Sequence, residues 1–399
     1  ELIRQVFQAV ERGDSCIACS REDAQALQGL LADAGDPGAH PAELQIAPFV
    51  LDAGQLYLYR YWALENQLAQ SAAGLLRQPA AAVQLAEQHQ ALLEDPQQLQ
   101  ALRMAASQAL SIITGGPGTG KTYTLARIIA VLNQAIPDIR IAMAAPTGKA
   151  AQRMKEALQN SFSDAKLSGL VSAELQRLTP VTIHRLLGLG EEQRPRFHAR
   201  RQLPFDVIVV DEASMLDLNL AKMLFAAAAP RSRLILLGDA NQLASVDAGA
   251  VLADLQQAPE LAQNRVNLVT SRRFDGEKLI GRMASFIQQN ERQQDVLLRF
   301  EQEIAPAGRL QALPLTPEMP DCIQLQYLPD SPKDPLIDWN GYYSQLMLGF
   351  QGYAAAVQDY LASECAEQHE AKAVSVFEDY RILAAVRDRK STRLNSSHT

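Results

Sequence analysis

A chain of 399 residues with 47% hydrophobic content has room for two or three domains with real cores, which excludes wholesale disorder. Its formal charge of −8 argues against a surface that coats nucleic acid generally, although a local basic groove remains compatible with it. Four cysteines do not make a disulfide framework, and no apolar run is long enough for a membrane span, so a reducing cytoplasm and no membrane partner are expected.

In chain order, residues 1 to about 85 read as mainly helical and rich in Ala, Leu and Gln, with loop chemistry at Gly35-Asp36-Pro37-Gly38. Residues 1–90 carry eleven Asp/Glu against five Lys/Arg, which suits a protein partner better than DNA. Cys16 and Cys19 form a C-x-x-C, read either as half of a zinc site or as two small buried residues. Phe49 to Trp62 reads as a hairpin turning at Ala53-Gly54. Its Tyr57, Tyr59 and Tyr61 alternate, so they either pack one sheet face or offer rings for stacking bases. Glu94-Asp95-Pro96 then opens a helix over Gln97–Gln108, and a carboxamide at Gln97 or Gln98 matches the donor–acceptor edge of an adenine.

Ser111-Ile112-Ile113-Thr114 reads as a short buried strand, followed by Gly115-Gly116-Pro117-Gly118-Thr119-Gly120-Lys121-Thr122 and a helical pattern over Tyr123–Asn133. Strand, glycine-rich turn and helix together make a phosphate cradle: glycines let successive N–H groups close around a phosphate, and the helix N-terminus adds positive field. Lys121 would bridge the β- and γ-phosphates of a nucleoside triphosphate, and the Thr122 hydroxyl would hold Mg²⁺.

Ile139–Ala144 reads as a second buried strand running into Ala145-Pro146-Thr147-Gly148-Lys149. That turn offers Thr147 and Lys149 to a DNA phosphate, or simply caps a helix. Thr182-Ile183-His184-Arg185 follows, then a basic loop of Arg194, Arg196, His198, Arg200 and Arg201, read as backbone contacts to nucleic acid or as a solvated face. Val207–Val210 is a β-branched strand delivering Asp211 and Glu212, two adjacent carboxylates that are costly there unless an ion or water engages them. Asp211 would complete the Mg²⁺ shell, and Glu212 would activate the attacking water. Leu234–Leu237 is a further strand ending in Gly238-Asp239-Ala240-Asn241-Gln242, where an uncharged amide can contact a γ-phosphate. Val266-Asn267-Leu268 reads as a fifth strand, and Arg273 just beyond it is placed to act as an arginine finger. Residues 299–335 read as a Pro-rich linker, 338–370 as amphipathic helix and Tyr380–Val386 as a strand-like run.

GGPGTGKT, APTGKAAQR, TIHRLLG, VVDEASMLDL, GDANQLASVDAG and SRRF, in this order, resemble the RecD family, the alpha subunits of bacterial exodeoxyribonuclease V and superfamily 1 helicase subunits of the RecBCD complex. The likeness covers roughly residues 45–387. It implies an α/β fold: a RecA-like P-loop NTPase with a parallel sheet and helices on both faces, preceded by the mainly helical N-terminal domain. It further implies domains over 1–90 (partner binding), 91–265 (first RecA-like) and 266–387 (start of a second). Carried over residue by residue, Gln98 matches the adenine-reading glutamine, Lys121 and Thr122 the Walker A pair, and Asp211 and Glu212 the Walker B pair. Gln242 matches the γ-phosphate glutamine and Arg273 the motif IV arginine, while Pro146, Thr147 and His184 fall in motifs that contact single-stranded DNA. Gln97 departs from the family, which has an aromatic there.

The resemblance implies ATP and Mg²⁺ as ligands, the beta and gamma subunits (RecB and RecC) as partners, and 5′-to-3′ movement on single-stranded DNA in double-strand-break repair. A free-standing or relaxase-linked superfamily 1 helicase, and a nucleotide-binding structural subunit without turnover, are the alternatives. The ends read as artificial. Glu1 opens mid-helix, and Asp388–His398 resembles one frame of a translated sequencing adapter, so 388–399 is set apart as an extraneous tail. Without Asp388, Arg389, Lys390 and Arg393 the net charge becomes about −10, which leaves the exclusions above unchanged. A chain ending there lacks the later helicase motifs and is expected to bind ATP without acting as a helicase alone.

Overall fold

The computed structural model describes residues 1–27, 29–33, 47–77, 80–190, 194–239, 242, 249–270, 282–283, 286–287, 296–303, 339–362 and 366–382. The chain divides into two compact units, Glu1–Asp275 and Gly276–Thr399. No helix among the described residues is long and apolar enough to cross a membrane.

The first unit opens with a helix, Leu2–Glu11, and a small sheet made of β1 (Cys16–Ala18), β2 (Leu31–Asp33), β3 (Phe49–Asp52) and β4 (Gln55–Leu58), in the order β1-β4-β3-β2. The N-terminal part is thus helical with a four-stranded sheet inside it; β1 and β2 are too short to declare themselves by periodicity. Val6, Cys19, Leu27, Phe49 and Leu56 form its core, and Cys16 on β1 reaches Gln55 Oε1 at 3.6 Å. The hairpin turns at Ala53-Gly54 as its sequence predicts, with both residues at positive φ (46° and 79°), the geometry that matches strand twist.

The strand does not continue to Trp62. It stops at Leu58, Tyr59 N–H donates to Pro48 O at 2.8 Å, and a helix runs from Tyr59 to Arg77. The alternation of Tyr57, Tyr59 and Tyr61 yields to a stronger pattern. Tyr61, Leu64, Leu68, Ala72 and Leu75 recur every three or four residues and all face one core. Only Tyr57 therefore lies on the sheet.

The large sheet holds β5 (Leu110–Gly115), β6 (Ile141–Ala145), β7 (Val181–Thr182), β8 (Val207–Val210), β9 (Arg233–Gly238) and β10 (Arg265–Leu268). All pairings are parallel, in the order β10-β5-β9-β8-β6-β7. The strands read as near-continuous apolar runs because both faces are covered. Alternate residues supply two cores. Leu110, Ile112, Ile208, Val210, Leu234 and Leu236 meet the helices over 59–77 and 218–227. Ile113, Val207, Val209, Ile235 and Leu237 meet those over 96–107, 121–135 and 148–162. β10 pairs with β5, and the first unit continues past the division at 265 to Asp275.

Arg127 lies fully buried in the second of these cores. Its guanidinium donates to Leu92 O and Tyr123 O, both at 3.2 Å, pairs with Asp164, and sits over the Tyr123 ring. Arg127→Met would remove the side-chain donor to Leu92 O and the partner of Asp164. It is expected to cost about 2–4 kcal/mol, read as a lower urea midpoint at unchanged m-value.

In the second unit, helices Val296–Glu303, Trp339–Leu348, Gln351–Ala362 and Ala366–Glu378 are described. The last two pair through Tyr353 and Phe377, whose ring centroids are 4.9 Å apart. Tyr380–Ile382 has no regular structure, and the rest of that strand-like run lies outside the described residues, as does most of the Pro-rich stretch.

Candidate nucleotide-binding site

Parallel strands end together, so the loops that follow them gather at one edge of the sheet. β5 brings Gly115 there, and the helix Lys121–Ala135 starts after Gly120. Between them the chain folds so tightly that side chains are excluded. A Cβ on Gly115 would meet Thr119 Oγ1 at 2.5 Å and Leu268 O at 2.8 Å. One on Gly120, itself at φ 83°, would meet the Gln98 carboxamide at 2.7 Å. Thr119 Oγ1 donates to Gly116 O at 2.9 Å and pins the loop across its own mouth. Exposed Pro117 and left-handed Gly118 form the outer turn. No side chain caps the helix that follows, which leaves its first N–H groups to the loop. Lys121 Nζ donates to Gly115 O at 2.5 Å and Gly116 O at 3.1 Å, so it lies along the loop, with half-buried Thr122 beside it.

β8 ends two strands from β5 and delivers Asp211 and Glu212 to the same edge. Asp211 N–H donates to Ala144 O at 3.0 Å, and its carboxylate accepts Glu212 N–H at 2.9 Å. Burial pushes the Asp211 pKa up to about 6; the Glu212 N–H bond opposes the rise, the Glu212 charge adds to it and the Lys121 charge opposes it. Glu212 itself sits at φ 52°, ψ 39°, a left-handed conformation costly for a side chain with a Cβ.

Because the folded pKa of Asp211 lies above its unfolded value of 3.8, the folded state prefers the protonated form. Its full contribution is present below pH 3.8, is lost as pH rises towards about 6, and stays lost above that. Asp211→Asn keeps an acceptor for Glu212 N–H and removes the charge. Thermal unfolding should show it more stable than the parent by a few degrees at pH 8, with a smaller gain at pH 5.

Gln98 is buried. Its Nε2 donates to Thr119 O at 3.3 Å, while its Oε1 is buried with no hydrogen-bond partner. Asp95 caps this helix, accepting from Gln97 N and Gln98 N, and Gln97 Oε1 accepts from Val269 N at 2.9 Å. Gln242, past the end of β9, is exposed, with its N–H on Asp239 O. Arg273 lies outside the described residues.

The DNA candidates stand farther along the same edge. Half-buried Pro146 and exposed Thr147 and Lys149 follow β6, and Thr147 caps the helix there, accepting from Ala150 N at 3.2 Å. His184 follows edge strand β7, exposed, and lines a cleft of about 370 Å³ with Arg60, Tyr61, Asp217 and Asn219. In the basic loop, Arg196 and Arg201 approach the Phe197 ring at 5.6 and 5.8 Å.

Sequence reading passed over a polar chain beneath the cradle. Gln256 Nε2 donates to Thr114 Oγ1 at 2.9 Å, and Thr114 Oγ1 donates to Asn267 Oδ1 at 3.1 Å. Thr114 at the end of a mainly apolar strand is its one local signal. Ser214, directly after the two carboxylates and Ala213, also carries a buried hydroxyl oxygen without a partner.

A family model described as an AAA domain matches residues 98–248, the span from Gln98 to just past Gln242. The chain is 39% identical over 303 residues to the RecBCD enzyme subunit RecD of Mycobacterium tuberculosis, covering 70% of this chain and 52% of that one. It is 42% identical over 268 residues to the RecD subunit of Mycolicibacterium smegmatis, covering 63% of this chain and 47% of that one. Among solved structures it is similar to the Pif1 helicase of Candida albicans, at 20% identity and a TM-score of 0.35, covering 53% of this chain and 47% of that one. The chain spans about half the length of the curated relatives it matches. Over the residues matched, the chain is similar to RecD subunits at 39–42% identity.

Proposed function

We propose that the chain binds ATP with Mg²⁺ and belongs to an ATP-driven helicase subunit that moves 5′ to 3′ on single-stranded DNA beside RecB- and RecC-like partners. The observation that carries this reading is a glycine cradle with no room for a Cβ at Gly115 or Gly120, with Lys121 along it and Asp211–Glu212 on the same edge. The cradle suits a triphosphate: backbone N–H groups and one ammonium meet the phosphates, and the orphan Gln98 Oε1 awaits a donor such as an adenine amino group. Thr122 and Asp211 would hold Mg²⁺, which when bound neutralises phosphate charge.

In hydrolysis Glu212 takes a proton from water, whose oxygen attacks the γ-phosphorus. The bond to the β–γ bridging oxygen breaks, and ADP and phosphate leave. Gln242 contacts the γ-phosphate, and Arg273 stabilises the charge that develops. Pro146, Thr147, Lys149 and His184 border the DNA path. Residues 1–90 face the protein partners, the first RecA-like domain runs from 91 through β10, and the second begins after Asp275. A reducing cytoplasm is the setting. Calorimetric titration of MgATP into the 399-residue chain tests the core of this reading. Micromolar, Mg²⁺-dependent affinity is expected, and affinity no better than millimolar would overturn it.

A further inference from the structure

Resting on the nucleotide reading above, we infer that Gln97 is a positioning residue that carries occupancy of the phosphate loop to the exit of β10. Neighbouring glutamines at the start of one helix divide two tasks. Gln98 turns inward onto the loop carbonyl of Thr119, and Gln97 turns along the edge to hold the Val269 amide. Both are fixed by one carboxylate, since Asp95 Oδ1 accepts from Gln97 N at 2.9 Å and from Gln98 N at 3.1 Å. The two side chains therefore leave from one fixed helix end.

The Gln98 Oε1 has no partner in its buried position, so a nucleotide that supplies a donor removes an unsatisfied group and stiffens this corner. Val269 is 63% exposed and lies just past the last paired position of β10, Leu268 with Gly115. Its N–H donates to Gln97 Oε1 at 2.9 Å, a side-chain contact at the very exit of the strand. From there the sequence runs directly into Ser271-Arg272-Arg273-Phe274, which carries the arginine assigned to the γ-phosphate. Thr114 and Gln256 hold β10 two residues earlier, through Asn267. Gln97 is thus the contact by which the loop end of the helix sets where that segment starts.

Hydrogen exchange of the 399-residue chain, followed in peptides spanning 266–270 with and without MgATPγS, tests this. Exchange at Val269 should slow about threefold or more on nucleotide binding in the parent. Gln97→Leu, which fills the same space without an acceptor, should abolish that slowing while leaving nucleotide affinity within about twofold. Gln97→Glu, which keeps an acceptor oxygen, should restore it, a rescue that a purely space-filling role would not show. Nucleotide-dependent slowing that survives in Gln97→Leu, or that is lost in Gln97→Glu, overturns the inference and leaves the nucleotide site standing. A parent chain that binds no MgATPγS takes down both.

Discussion

Lys121→Ala is expected to weaken MgATP binding by about 10- to 100-fold, the loss of one to two charge-assisted hydrogen bonds worth about 1.5–3 kcal/mol in all. The ammonium is the strongest positive charge on the loop, and backbone N–H groups supply only partial charge beside it. In the structure the ammonium already donates to Gly115 O and Gly116 O, so binding exchanges carbonyl acceptors for anionic phosphate oxygens. The gain is the difference between those two sets of bonds, which is why the range stops near 100-fold. Those same bonds also brace the loop, so its removal could act by loosening the cradle. Adenosine separates the two effects. A loosened cradle would weaken adenosine as well, whereas a lost phosphate contact weakens ATP and leaves adenosine unchanged. Equal ATP affinity in parent and variant would remove Lys121 from the site.

Most of this site was legible because its chemistry constrains short, local stretches of sequence. A phosphate loop needs glycines at fixed places, and Gly115 and Gly120 stand where a Cβ would strike Thr119, Leu268 or Gln98. A buried parallel strand needs an uninterrupted apolar run, so Val207–Val210 and Leu234–Leu237 announced themselves and carried Asp211 and Asp239 to the edge. What was not legible depends on partners distant in sequence. Strand order is one case: β5 lies between β9 and β10, more than a hundred residues away in each direction, and no local pattern encodes it. The Gln97–Val269 and Thr114–Asn267 contacts are another, each joining residues over 150 apart. The tyrosines after Leu58 misled for a different reason. Three alternating aromatics look like a strand until Leu64, Leu68, Ala72 and Leu75 are counted with them, and the longer helical repeat buries more apolar surface. Two-residue β7 left no trace beyond a β-branched pair after Pro180.

Glu212→Gln is expected to leave nucleotide affinity within about threefold and to slow hydrolysis of bound ATP by about 10²–10⁴-fold, the range of a lost general base. The substitution changes one atom from an acceptor of the water's proton to a donor, and it preserves size. It also preserves the backbone demand: residue 212 must adopt φ 52°, and glutamine meets the same strain there as glutamate. Fold and cradle should therefore survive, and thermal unfolding should move little. Asp211 makes the contrast useful, because its carboxylate accepts the residue-212 N–H and is held half-protonated near pH 6 by burial and by the Glu212 charge. Removing that charge in Glu212→Gln lowers the Asp211 pKa, so the metal-binding carboxylate stays ionised and nucleotide affinity is maintained. Glu212→Gln should thus hold ATP uncleaved, while Asp211→Asn, short of a metal ligand, should fail earlier by losing the Mg²⁺ dependence of binding. Single-turnover release of labelled phosphate, with protein in excess over γ-labelled ATP, reads the chemical step directly. A decrease of less than about tenfold, roughly 1.4 kcal/mol, would assign the proton to another group on this edge.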